Sequence, residues 1–174
     1  MAFSLARMAV EILSILTVIG DILLILCLPL FFFRKSLKNA WNFLGKNTLL
    51  CSLIIALVAT SGSLYFSEVA GYAPCKLCWF QRIMMYPLVI LLGVALATKS
   101  KDYGKYIIPL AIIGSLISAY HYWTQRFGGM PICSAAESCS SYPFLTFSYI
   151  TIPMMALTAF MLIILLNSFK PIKS

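Results

Sequence analysis

Six cysteines and a single histidine carry most of the chemistry this chain can offer. Four of the cysteines form two close pairs, Cys75 and Cys78 in "PCKLCWFQR", and Cys133 and Cys139 at the ends of "CSAAESC". A CxxC can be a redox dithiol, half of a zinc site or a haem attachment. Haem attachment needs a histidine directly after the second cysteine, where Trp79 stands. A four-cysteine zinc site needs the pairs to converge, and the five residues between Cys133 and Cys139 exceed the two to four usual for structural zinc. A permanent staple between loops stands beside the redox dithiol as the plainer alternative.

Local residues favour redox chemistry. Pro74 suits a helix start, which would set Cys75 and Cys78 in a first turn whose unpaired N–H groups favour a thiolate. Arg82 follows Cys78 by four residues on the same helical face, where its charge is expected to stabilise the Cys78 thiolate. Its plainer role is that of a snorkelling anchor. His121, beside Tyr120, Tyr122 and Trp123, reads on its own as an interfacial residue. Cys27 and Cys51 fall inside apolar runs and read as packing thiols, an inner redox pair being the sharper alternative.

The elements that must position these groups lie in lipid. Of 174 residues, 61% are hydrophobic and only 10% charged, which excludes an ordinary soluble domain. Five apolar segments are expected as helices, at about Ile12 to Phe33, Thr48 to Phe66, Trp79 to Thr98, Tyr106 to Trp123 and Phe144 to Leu166. A removable signal peptide is the competing reading of the first segment. It is weakened by the segment's length, by the absence of an A-x-A site and by the basic residues that follow. Leu37, Trp41 and Leu44 share a face in "RKSLKNAWNFLGK", which predicts a short interfacial helix. Asp21, mid-span, is expected to stay inserted only if protonated or paired.

The net charge of +8 does not imply nucleic acid, because the basic residues sit in the gaps between apolar runs. Arg34, Lys35, Lys38, Lys46, Lys99, Lys101, Lys105, Lys170 and Lys173 fall on one side; Arg7, Lys76, Arg82 and Arg126 fall on the other. The positive-inside rule then places the N-terminus outside, the C-terminus in the cytoplasm and both cysteine pairs outside, where disulfides persist.

"PCKLCWFQR" before an apolar span, "YHYWTQ" ending the next and a loop cysteine pair before the last span together resemble the DsbB/BdbC family of quinone-linked, disulfide-generating membrane proteins. The resemblance covers roughly Leu49 to Phe169, and the short second pair is similar to the BdbC branch. It implies an all-α polytopic membrane bundle, a four-helix core over residues 48–174, preceded by an additional transmembrane helix and a basic segment over residues 1–47. It implies that a thioredoxin-like thiol oxidase of the DsbA/BdbD type is reoxidised at Cys133–Cys139 and that electrons pass through Cys75 and Cys78 to a membrane quinone, ubiquinone or menaquinone. Arg82 and His121 match the family's quinone-site positions, and no metal is expected. The extra first span departs from the family pattern, and its removal (residues 2–40) is expected to leave thiol oxidation intact, with Asp21→Leu neutral or stabilising for insertion. A reductant conduit through Cys27 and Cys51, or a disulfide-stapled scaffold without activity, are the alternatives.

Overall fold

The computed structural model describes residues 2–32, 38–100, 102–127 and 146–168, with side chains described for 7–27, 45, 47–100, 102–127 and 146–168. Among the described residues five α-helices carry the chain: α1 (Ala2–Phe32), α2 (Lys38–Leu64), α3 (Lys76–Ala97), α4 (Gly104–Phe127) and α5 (Ile152–Ser168). Among the described residues four segments are long and apolar enough to cross a membrane: Arg7–Cys27, Asn47–Val69, Lys76–Ala97 and Gly104–Phe127. Helices satisfy every backbone group internally, which lipid requires. Their outward faces are aliphatic, with Ile25, Ile90 and Leu116 among the most exposed side chains.

Two boundaries differ from the sequence expectation. The interfacial segment is no separate helix, because α2 begins at Lys38 and runs without a break into the span; the side chains of Trp41 and Leu44 lie outside the described residues. The last helix starts at Ile152 rather than Phe144 and has 17 residues, about 25 Å at ~1.5 Å per residue. Thr146 to Ile150 instead close a tight turn, with Phe147 and Ser148 at φ 50° and 64° and an isolated bridge between Thr146 and Ile150.

Helices α2 to α5 form a ring in which α2 packs on α3 and α5, and α4 on α3 and α5. Leu88, Leu92, Ile107, Ala111, Phe160 and Ile163 fill its centre and are fully buried. Gly114 lets α4 and α5 close, since a Cβ there would lie 2.4 Å from the Phe160 ring. At one end Thr48 Oγ1 donates to Leu166 O (3.4 Å) and Asn167 Nδ2 to Ser52 Oγ (3.0 Å), tying α2 to α5. The opposite end gathers the last turn of α2, the first of α3 and the last of α4, and there the chemistry lies.

Helix α1 packs outside this ring against α5. Gly20 allows the approach, its missing Cβ lying 2.9 Å from Thr158 Cγ2. Asp21 is paired across helices: Thr158 Oγ1 donates to Oδ1 at 2.6 Å and Tyr149 OH to Oδ2 at 3.0 Å. Desolvation, and then the Asp21 carboxylate, raise the Tyr149 phenol above its ordinary range and keep it a donor. Asp21 is thus paired across helices, as its place mid-span required, and two hydrogen bonds fasten α1 through this carboxylate.

Candidate functional site

The chain enters the site through a local rearrangement. After Leu64 the helix widens into a π-helical turn, Tyr65–Val69, and Gly71 at φ 73° redirects the backbone toward α3. Arg82 anchors α3 to this stretch, its Nη2 donating to Ser63 O at 2.9 Å, which also accepts from Ser67 Oγ at 3.4 Å, and its Nε donating to Ser63 Oγ at 3.0 Å. The same guanidinium stands 5.3 Å from the Trp79 ring centre. Arg82 is buried despite its charge, and its planar fork serves two acceptors at once.

Cys75 is the N-cap of α3 and stands just outside the span; Cys78 is the third helical residue. The helix thus starts two residues after Pro74, one step later than the sequence suggests. Cys75 Sγ accepts from the Cys78 backbone N–H at 3.4 Å, and the two sulfurs lie 3.0 Å apart as free thiols. His121 is fully buried at the end of α4, with Nε2 3.7 Å from Cys75 Sγ and Nδ1 3.0 Å from Gln81 Nε2. With the Gln81 amide donating to Nδ1, the ring proton sits on Nε2 and points at Cys75.

These donors converge on Cys75. The hydrogen bond from the Cys78 thiol is the largest influence, opposed by desolvation and joined by the His121 ring and by the Cys78 N–H; together they hold the Cys75 thiol at about 4. The sequence reading gave the stabilised thiolate to Cys78 through Arg82. In the structure the Arg82 hydrogen bonds go to Ser63, while Cys75 Sγ is the sulfur that lies against both Cys78 and His121. The thiol sulfurs and a His121 ring nitrogen lie within 4.8 Å of one another, a grouping a soft metal ion could also bridge.

A cavity of about 840 Å³ opens from this cluster. Cys75, Cys78, Gln81, Arg82 and His121 line one end, and aliphatic residues of α1, α2 and α5 line the rest. Tyr86, one turn beyond Arg82, also lines it, and its buried hydroxyl has no partner among the described residues. Cys27 and Cys51 line the cavity as free thiols. Cys133 and Cys139 lie outside the described residues.

The structure thus brings Cys75, Cys78, Arg82 and His121 to one end of the bundle. It adds groups the sequence reading left without a role: Gln81, which orients His121; Ser63, which receives Arg82; and Tyr86. Gln81 had one signal, its place in the CxxC motif three residues beyond Cys78.

A family model described as "Disulfide bond formation protein DsbB" matches residues 45–169. The chain belongs to the DsbB family. It is 48% identical over 120 residues to the disulfide bond formation protein C of Bacillus subtilis, covering 67% of this chain and 87% of that protein. A probable disulfide formation protein of Oceanobacillus iheyensis is 41% identical over 140 residues, covering 77% of this chain and 92% of its own length. A probable disulfide formation protein C of Bacillus cereus is 43% identical over 111 residues, covering 62% and 80%. No solved structure matches. As a DsbB-family chain with four apolar membrane-length helices, it is a multi-pass membrane disulfide oxidoreductase. The family model starts at residue 45, so α1 lies outside the matched stretch.

Proposed function

We propose that this protein reoxidises an extracytoplasmic, thioredoxin-like thiol oxidase and passes the electrons to a membrane quinone, with Cys133–Cys139 as the partner-facing pair and Cys75–Cys78 as the acceptor-facing pair. The observation that carries this is a dithiol, its sulfurs 3.0 Å apart and Cys75 Sγ 3.7 Å from His121 Nε2, at the polar end of a cavity lined elsewhere mainly by aliphatic residues. The partner dithiol gives two electrons and two protons to the Cys133–Cys139 disulfide and leaves as a disulfide. The resulting dithiol reduces the Cys75–Cys78 disulfide by exchange, with Cys139 attacking at Cys75. The charge balance supports an orientation with both pairs and the N-terminus outside the membrane and the C-terminus in the cytoplasm.

A lipid-soluble quinone fits this end of the cavity on the chain's own terms. An aromatic dione needs donors for its oxygens, and Tyr86 supplies a buried hydroxyl that no group among the described residues satisfies. Arg82 supplies charge nearby, and the apolar walls suit a hydrophobic body. When bound, the quinone supplies the acceptor for two electrons and two protons, which returns Cys75 and Cys78 to a disulfide. The protein's part is to hold Cys75 ionised, to keep His121 oriented through Gln81 and to keep bulk water from the dithiol. Oxidation of a reduced thioredoxin-like oxidase by the purified protein, followed with added ubiquinone and menaquinone, tests the proposal. Turnover is expected to need a quinone and each of the four cysteines. Persistence of turnover in Cys75→Ser or Cys133→Ser would remove the assigned relay.

A further inference from the structure

Helix α1 stands outside the stretch that defines the family, yet it forms one wall of the cavity that starts at the dithiol. Thr17, Gly20, Leu23 and Cys27 line it from α1, facing Cys51 and Ile55 of α2. From Ser63, beside Arg82, to Cys51 the lining spans about twelve residues of α2, about 18 Å at ~1.5 Å per residue. The polar side chains gather at the Arg82 end. Further along, the Thr17 hydroxyl is spent on Leu13 O at 2.8 Å, so the lower channel presents aliphatic and thiol surface. A short rigid ring has no use for that length, whereas a polar head with a long apolar chain matches both halves.

The wall is fastened rather than loosely apposed. Asp21 accepts from Tyr149 and Thr158, Gly20 meets Thr158 and Leu162 closely, and Leu13 seats against Gly62, whose missing Cβ would lie 3.0 Å away. The opposite face of α1, including Ile15, Ile22 and Ile25, is exposed, as a lipid-facing surface would be.

We propose that α1 encloses a channel for the isoprenoid chain of the quinone acceptor, held shut against α5 by the Asp21 hydrogen bonds to Tyr149 and Thr158. The inference rests on the acceptor assigned above, and it makes the N-terminal helix part of the binding site rather than an appendage. A chain bound there shields Cys27 and Cys51, two thiols the relay does not use and the channel provides as reporters.

The test uses the full-length oxidised protein in detergent, with N-ethylmaleimide modification of Cys27 and Cys51 followed by mass spectrometry. The probes are a naphthoquinone with a long isoprenoid chain, the same ring without a chain, and dioleoyl phosphatidylcholine. The chained quinone is expected to slow modification of both cysteines by about tenfold, as occupancy of a site excludes reagent, while the bare ring leaves the rates unchanged. Leu23→Trp, which fills the channel from α1, is expected to raise the ratio of KM for the chained quinone to that for the bare ring by about tenfold. If the full protein reduces the chained quinone while Cys27 reacts at its original rate, the channel is wrong and the acceptor reading stands. Equal protection by phosphatidylcholine also overturns the proposal, making the cavity a lipid seat. Failure to reduce any quinone overturns the acceptor reading and this inference with it.

Discussion

The reduced protein should carry a Cys75 thiolate far into acid, and the consequence for exchange can be worked out. An ordinary cysteine of pKa 9.0 is about one part in 10⁴ ionised at pH 5, whereas a group held at about 4 is about nine-tenths ionised. Nucleophilicity falls with pKa with a Brønsted slope near 0.45, so a depression of five units costs about 180-fold in intrinsic rate. At pH 5 the gain wins by about 50-fold; at pH 7 an ordinary thiol is about 1% ionised and the two rates come out within about twofold. The signature is therefore a flat profile, not a fast rate at neutrality. Exchange at Cys75 with a small aromatic disulfide, in Cys133→Ser/Cys139→Ser protein, should be nearly constant from about pH 5 to 8 and fall only as pH drops through about 4. Because the Cys78 thiol is the largest contributor, Cys78→Ala should move the inflection upward by more than His121→Ala does. A rate that falls tenfold per pH unit below pH 8, or a larger shift from His121→Ala, would refute the reasoning.

Tyr86→Phe should raise thermal stability slightly, since it removes a buried hydroxyl without a partner among the described residues, and should raise KM for quinone; opposite signs from one substitution are the mark of a ligand-directed group. Asp21→Leu should improve insertion yield, by relieving about 2.5 to 3.5 kcal/mol on insertion scales, yet speed maleimide modification of Cys27 as α1 loosens; each lost membrane hydrogen bond is worth about 0.6 kcal/mol on average. Gly114→Ala drives a methyl against the fully buried Phe160 ring and should destabilise the bundle by about 1 to 3 kcal/mol in a denaturation assay. Arg82→Lys keeps the charge but loses the fork that serves Ser63 twice, so a fall in melting temperature is expected even in the absence of quinone.

What was legible in the sequence follows the strength of the physical constraint. Lipid forces helices, so five apolar segments were visible and four have the expected membrane length. The start of α5 was misplaced because apolar residues such as Phe147, Tyr149 and Ile150 continue the hydrophobic run while the backbone turns, which hydropathy does not register. The CxxC, Arg82 and His121 were legible as residue types at one membrane face. Their pairings were not, because helical spacing places Arg82 beside Cys78 but cannot show that a π-helical turn offers the Ser63 carbonyl to it. The pairing of Asp21 was equally hidden, since Tyr149 and Thr158 lie more than a hundred residues away.

The polar contacts divide the bundle's labour between its ends. Ser52, Asn167 and Thr48 join α2 to α5 at the end away from the dithiol, and Arg82 joins α2 to α3 at the end beside it. Gln81 and His121 then carry the link from α3 to α4 up to the Cys75 sulfur. Three helices are thus fixed around a thiolate by hydrogen bonds whose loss would leave buried groups unsatisfied, which resists movement at that end. The channel wall is held differently, by one carboxylate, two glycine contacts and an aliphatic face in α1. That asymmetry suits a site whose redox geometry must stay constant while a long apolar chain lies along an aliphatic wall.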